Sequence, residues 1–240
     1  MTTPKIVGVI GGLGPEATLD FFAKVLAKTQ AATDQEHLHL IINNRPDVPN
    51  RNEAVAGTGP SPGPALAENA RSLAAAGADF LVMVCNAAHA FQEDITSAVA
   101  LPFVSIIDET VRATLEQVPE IKKVGVLGSS GCLDARLYQD AFAERGVSTL
   151  VPEGEKHDTF MQLLYCIKGG DKGAEVKTEM RQLANALVDE GAEAIIAGCT
   201  EVPLVLFADD LAVPLVNSTD VLVDSTVAYA LGEWQLKDKI

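Results

Sequence analysis

The chain repeats its own pattern. Val7-Gly-Val-Ile-Gly11 returns 117 residues later as Val124-Gly-Val-Leu-Gly128, and each run opens a glycine-rich turn. Ala78-Asp-Phe-Leu-Val-Met-Val-Cys85-Asn returns as Glu193-Ala-Ile-Ile-Ala-Gly-Cys199-Thr, with the two cysteines 114 residues apart. Leu101-Pro-Phe-Val-Ser-Ile-Ile-Asp108 returns as Val213-Pro-Leu-Val-Asn-Ser-Thr-Asp220, 112 residues on. Three matched segments in one order, with slowly drifting offsets, read as a duplicated unit of about 115 residues. Whatever architecture one half adopts, the other must adopt too.

Within each unit, apolar β-branched runs alternate with longer amphipathic stretches. KIVGVIG leads to a helix over 15–32, LHLIINN to a Pro/Gly-rich loop and a helix over 64–76, DFLVMVC to a short helix over 86–98, and FVSIID to a helix over 109–117. The second pass reads KKVGVLG, a helix over 133–145, STLV, a helix over 174–190, EAIIAGC with a turn at 202–207, VPLVN, and a helix over 219–231. Buried strands alternating with helices imply a parallel sheet covered on both faces. The expected fold is therefore α/β, with two pseudo-symmetric domains, each a mainly parallel sheet flanked by helices. The active site is expected in the inter-domain cleft, at the carboxyl ends of the strands. No Gly/Ser or low-complexity linker separates the halves, so two chain crossings at a hinge are expected. The lobes are drawn as 1–104 plus 213–240, carrying Cys85, and 105–212, carrying Cys199.

Charge and cysteine spacing narrow the function. A net charge of −15 argues against nucleic acid and anionic membrane as partners, because both require a basic surface. No apolar run reaches the ~18 residues of a membrane span, and MTTPKIVGVIGG passes straight into patterned sequence without a leader-like organisation, so a cytoplasmic location is expected. Cys85, Cys132, Cys166 and Cys199 are widely and unevenly spaced, with no C-x-x-C pair and no histidine cluster. They read as reduced thiols, and no metal is expected.

The segment 10-IGGLGPEAT-18 places Gly12, Gly14 and Ala17 at G-x-G-x-x-A spacing after a strand. Pro15 removes one anion-binding N–H, and LHLIINN lacks a terminal acidic residue to hold a ribose. The turn is better suited to bringing backbone close to a small ligand than to cradling a dinucleotide, and no cofactor is expected. Cys85 taken alone reads as a small core residue at a strand end. Its counterpart Cys199 changes that reading, while Cys132 and Cys166 have no counterparts. Each of the paired cysteines precedes a polar residue, Asn86 or Thr200, at an expected helix start that favours a thiolate or a bound carboxylate. Two thiols facing one another can take a proton from carbon on one side and return one on the other, inverting a stereocentre.

The chain resembles the aspartate/glutamate racemase family over nearly its whole length. The resemblance rests on IGGLGPEAT, PNR at 49–51, CNAAH at 85–89, LGSSGCLDARLY at 127–138 and AGCTEVPL at 197–204. It implies a cofactor-independent amino-acid racemase of two pseudo-symmetric domains, commonly a homodimer, acting on a small acidic amino acid with Cys85 and Cys199 as the catalytic pair. By position, Arg51 and Lys168 match the basic residues that engage a distal carboxylate. Asn86 and Thr200 would hold the α-carboxylate, with Gly12, Ala87 and Ser129 also facing the substrate. His89 and Glu201 stand where they can orient or tune the cysteines; His89 is equally placed to bond a backbone carbonyl, and Glu201 to be a helix-start charge. Two departures bear on substrate: Ala87 replaces a threonine hydroxyl, and Ser129 and Cys132 stand where threonines are usual. The loss of one neutral hydrogen bond costs about 1 kcal/mol, so Ala87 alone leaves binding possible. Two other readings stay open: a related isomerase or racemase acting on another small acid, maleate isomerase-like or hydantoin racemase-like, and a two-lobed ligand binder without chemistry.

Overall fold

The computed structural model describes residues 3–235 of the chain. Its first half runs β1 (Val7–Gly11), α1 (Pro15–Lys28), β2 (Leu40–Asn44), α2 (Arg51–Val55), α3 (Gly63–Ala75), β3 (Phe80–Met83), α4 (Gln92–Ala98), β4 (Phe103–Val104) and α5 (Ile106–Gln117). The second half runs β5 (Lys123–Gly128), α6 (Ser130–Asp134), α7 (Leu137–Ala143), β6 (Ser148–Leu150), α8 (Glu155–Lys168), α9 (Ala174–Asp189), β7 (Ile195–Gly198), β8 (Leu215–Asn217) and α10 (Ser218–Leu231). Among the described residues no helix is long and apolar enough to cross a membrane.

The duplication survives in the topology. One sheet has the order β2-β1-β3-β4 and the other β6-β5-β7-β8, and every pairing is parallel. In both halves the central strands are buried, apart from Lys123 at the start of β5, as strands covered on both faces must be. Even the caps correspond: Ser105 accepts the Asp108 N–H at the start of α5, and Asn217 accepts the Thr219 and Asp220 N–H groups at the start of α10.

The two halves exchange their last helices. Helix α5 follows a first-sheet strand but packs on α7 and β8, whereas α10 follows a second-sheet strand but lies along α1 and touches β4. Ion pairs Lys24–Asp220 and Lys28–Asp224 tie α10 to α1. The lobe limits drawn at 104 and 213 assign residues 213–217 to the first lobe, and the strand pairing there differs. β8 hydrogen-bonds to β7, so the second crossing falls between Asn217 and Ser218 and the strand remains in the second sheet. A single apolar cluster runs from Val9, Phe21 and Phe80 of the first lobe to Val126, Tyr138 and Ile196 of the second.

Local departures from the sequence pattern have backbone causes. Helix α1 stops at Lys28 rather than 32 because Gln30 takes φ 50, and the expected helix 133–145 is broken into α6 and α7 by Arg136 at φ 55. Residues 87–91 form a 3-10 turn before α4. Helices α2 and α8 fall in stretches where the pattern assigned none.

Candidate active site

Parallel strands deliver their carboxyl ends to one edge, and the two sheets face each other along those edges. Between them lies a cavity of about 270 Å³, at the lower end of the size that holds small-molecule ligands. Cys85 follows β3 and Cys199 follows β7, and both line this cavity. Arg51, Asn86, Ala87, Ser129, Lys168, Thr200 and Glu201 line it as well. Gly12 and His89 do not; they support the wall from behind.

Cys199 sits in a charged chain. Its thiol donates to Glu201 Oε2 at 2.9 Å, the Thr200 hydroxyl donates to the same oxygen at 3.3 Å, and Lys168 Nζ ion-pairs with Glu201 Oε1. Burial, and then the negative charge of Glu201, push the Cys199 thiol well above its ordinary range, with Lys168 pulling the other way. Cys199 is therefore a protonated thiol at neutral pH, in keeping with its role as donor. Lys168 is pulled down by burial, but the charge of Glu201 and the hydrogen bond to it oppose this, and Lys168 stays above its ordinary value.

The Cys85 side is built differently. Cys85 and Asn86 are buried, and the His89 ring lies beneath them. The Ile106 N–H can only donate, so His89 Nε2 accepts it at 3.2 Å and Nδ1–H donates to the Cys85 carbonyl at 2.8 Å. Burial pushes His89 down to about 4, so the ring is neutral. It holds the backbone of Cys85 and leaves the thiol alone. The Asn86 amide accepts from Tyr138 and donates to Ser218, which leaves one N–H for a ligand.

Arg51 opens α2 with its guanidinium folded onto backbone: Nη1 donates to the carbonyls of Val48 and Pro49, and Nη2 to Leu13 at 3.0 Å. Among the described residues no carboxylate pairs with it. Its charge faces the cavity uncompensated. Ser129 precedes α6, and its hydroxyl enters no hydrogen bond among the described residues.

Each lobe's glycine-rich turn packs on the other lobe. Gly12 takes φ 89, and a Cβ there would stand 2.3 Å from the Arg45 nitrogen; its N–H goes to Thr18 Oγ1 at 2.9 Å. That amide is therefore engaged inside the turn, and Leu13 is the residue that reaches the cavity. Gly14 lies against the opposite lobe, where a Cβ would stand 2.8 Å from Glu201 Oε1. Reciprocally, Gly131 N–H donates to Asn52 Oδ1 across the cleft at 2.9 Å.

Sequence reasoning missed the wall supplied by α8: Met161, Leu164 and Tyr165 line the cavity beside Lys168. The signal was present, since Phe160, Leu163, Leu164 and Ile167 recur at i, i+3, i+4 and i+7, and all four are buried. Val48, Asn50 and Asn52, around α2, also reach the cavity, but nothing in a five-residue helix announces itself by period.

The chain is similar to known proteins in sequence and fold. A family model described as Asp/Glu/hydantoin racemase matches residues 10–226. The broad specificity amino-acid racemase RacX of Bacillus subtilis is 26% identical over 94% of this chain and 98% of its own length. Picrophilus torridus aspartate racemase superposes with a TM-score of 0.80 at 26% identity, covering 97% of this chain and 96% of that one. Glutamate racemase from Francisella tularensis, solved in complex with D-glutamate, shares the fold with a TM-score of 0.68 at 16% identity, over 99% of this chain and 84% of that one.

Proposed function

Since this chain belongs to the Asp/Glu/hydantoin racemase family of isomerases, we propose that it is a cofactor-independent amino-acid racemase working by a two-base exchange between Cys85 and Cys199. The observation that carries the reading is the pairing of the two repeat-related thiols on one small cavity, one of them held as a hydrogen-bonded thiol. The α-proton leaves to the Cys85 sulfur while the electron pair stays on the α-carbon. The Cys199 S–H then breaks, and its proton is delivered to the opposite face. The reverse direction exchanges the two roles. Glu201 accepts a hydrogen bond from the thiol while it waits, with Lys168 balancing its charge. Asn86 and Thr200, with Ser129, engage the α-carboxylate. The same reading carries the homodimer that the family resemblance implies, and the cytoplasmic setting expected from the sequence.

The substrate is taken to be aspartate or glutamate, supported by the uncompensated guanidinium of Arg51, which suits a distal carboxylate. One observation favours a second substrate class: Lys168 is already paired with Glu201, and Ala87 and the α8 wall of Met161 and Leu164 are apolar. A less acidic amino acid or other small acid fits such a site, as the broad specificity of the Bacillus relative also allows. Incubation with L-aspartate, L-glutamate and a panel of neutral and basic amino acids in D₂O, without added cofactor, decides the matter. Loss of optical rotation with α-deuterium incorporation is expected for at least one, and Cys85→Ser and Cys199→Ser should each lower racemisation by about 100-fold or more. Full activity in either variant would sink the two-base scheme.

A further inference from the structure

Tyr138 is the largest fully buried side chain of the described residues, and it comes from α7, away from the sequence neighbourhood of either catalytic cysteine. Its hydroxyl donates to Asn86 Oδ1 at 2.6 Å, and Asn86 directly follows Cys85. Asn86 Nδ2 donates to Ser218 Oγ at 3.1 Å, and Ser218 donates to the Ala197 carbonyl at 2.7 Å, two residues before Cys199. A carbonyl can only accept, so the polarity of the whole chain is fixed from that end: Ser218 must donate, the Asn86 nitrogen must face Ser218, and its oxygen must face Tyr138. The tyrosine ring reaches the second cysteine loop directly. A Cβ at Gly198 would stand 3.1 Å from Tyr138 Cε2, so the absence of a side chain there lets the ring rest on the residue before Cys199.

One side chain thus contacts the residue after Cys85 through its hydroxyl and the residue before Cys199 through its ring. Ser218 closes the circuit from the first turn of α10, the helix that the second half lends to the first. We propose that Tyr138 is a positioning residue that fixes the separation of the two thiols, acting through Asn86 and Ser218. The inference rests on the two-thiol reading above. In that reaction the α-proton captured by one sulfur has two fates: it returns to the same face, or the other thiol delivers its own proton to the opposite face first. Delivery is faster only while the second sulfur is within reach, and a displacement of about 1 Å costs on the order of 100-fold. Burial pushes the Tyr138 hydroxyl far above its ordinary range, so it serves as a neutral donor throughout.

Tyr138→Phe keeps the ring on Gly198 and removes only the hydroxyl. With the amino acid that the wild type turns over, in D₂O, kcat for racemisation should fall about tenfold or more while KM stays within about twofold. Deuterium in the recovered, uninverted substrate, counted per inversion, should rise several-fold, because a proton that waits on the first sulfur while delivery from the second fails exchanges with D₂O, and a deuteron then returns to the original face. Val25→Ala, a cavity variant in the core under α1, provides a control of lowered stability and should keep the wild-type ratio. Should Tyr138→Phe not fold, Ser218→Ala interrupts the other end of the chain and is read in the same way. A wild-type kcat and exchange ratio in the hydroxyl variant, or an equal change in the control, overturns the inference. A wild-type enzyme that exchanges no amino acid overturns the two-thiol reading itself, and that outcome is distinct from an active enzyme with an unaffected variant.

Discussion

His89 has both ring nitrogens engaged with backbone on opposite sides, and its pKa of about 4 stands well below the 6.5 of an unfolded histidine. Between those two values the unfolded chain takes up a proton that the folded chain refuses. Stability therefore rises with pH across the window from 4 to 6.5, is fully present above it, and is lost as the pH falls, by on the order of 3 kcal/mol in all. Urea unfolding of the wild type and of His89→Gln should show this component of the acid-side slope in the first and not in the second; parallel slopes would contradict the assignment. The sequence marked His89 as a candidate and left its role open, because whether an imidazole faces a thiol or a carbonyl is decided by a 3-10 turn that carries no residue-level signature. Lys168 was legible as a cation near the site. Its pairing with Glu201, 33 residues away, was not, since that contact exists only once the end of α8 meets the loop after β7.

At the level of elements, the glycine-rich turn has a meaning that its motif spacing did not convey. Gly14 has φ −126 and ψ 133, a conformation open to any residue, so Gly14→Ala introduces no backbone strain and tests the contact alone. The added methyl would meet Glu201, which is buried and tied to Cys199, Thr200 and Lys168. A roughly tenfold drop in kcat is expected, equivalent to about 1.4 kcal/mol in the barrier, with the melting temperature nearly unchanged. Steady-state kinetics beside a thermal melt measures both, and an unchanged kcat would mean that Glu201 moves aside freely. The strands and the long helices other than α8 were legible in the sequence because burial on both faces leaves an uninterrupted apolar run and a half-buried helix leaves a 3.6-residue period. Helix α2 was not legible, being a single turn capped by Asn50. The break between α6 and α7 was hidden for another reason: Arg136 adopts a left-handed conformation that arginine seldom takes.

On this architecture the whole molecule is expected to unfold as one cooperative body. Helices α5 and α10 lie on each other and on opposite lobes, and the apolar cluster is continuous between the sheets. The one tryptophan, Trp234, sits at that seam, with the Arg112 guanidinium 4.2 Å over its ring and Tyr229 edge-on. Its fluorescence reports the seam, whereas far-ultraviolet circular dichroism reports both sheets. The two probes should give coincident urea transitions, and separated midpoints would show that the lobes unfold independently. The duplication predicted the two lobes, and the lobe limits were drawn from it at 104 and 213. Strand β8 escaped that division because a ladder follows its neighbour β7 and not the helix that comes after it.

The exchanged helices also make the site insensitive to dilution. Were the two repeats separate chains, each would bring one thiol and one borrowed helix, and the pair of thiols would form only as often as two molecules met. Joined through α5 and β5, they meet at the millimolar effective concentration of a short tether however little protein is present. Dilution far enough to separate copies of the chain therefore leaves Cys85 and Cys199 facing the same cavity.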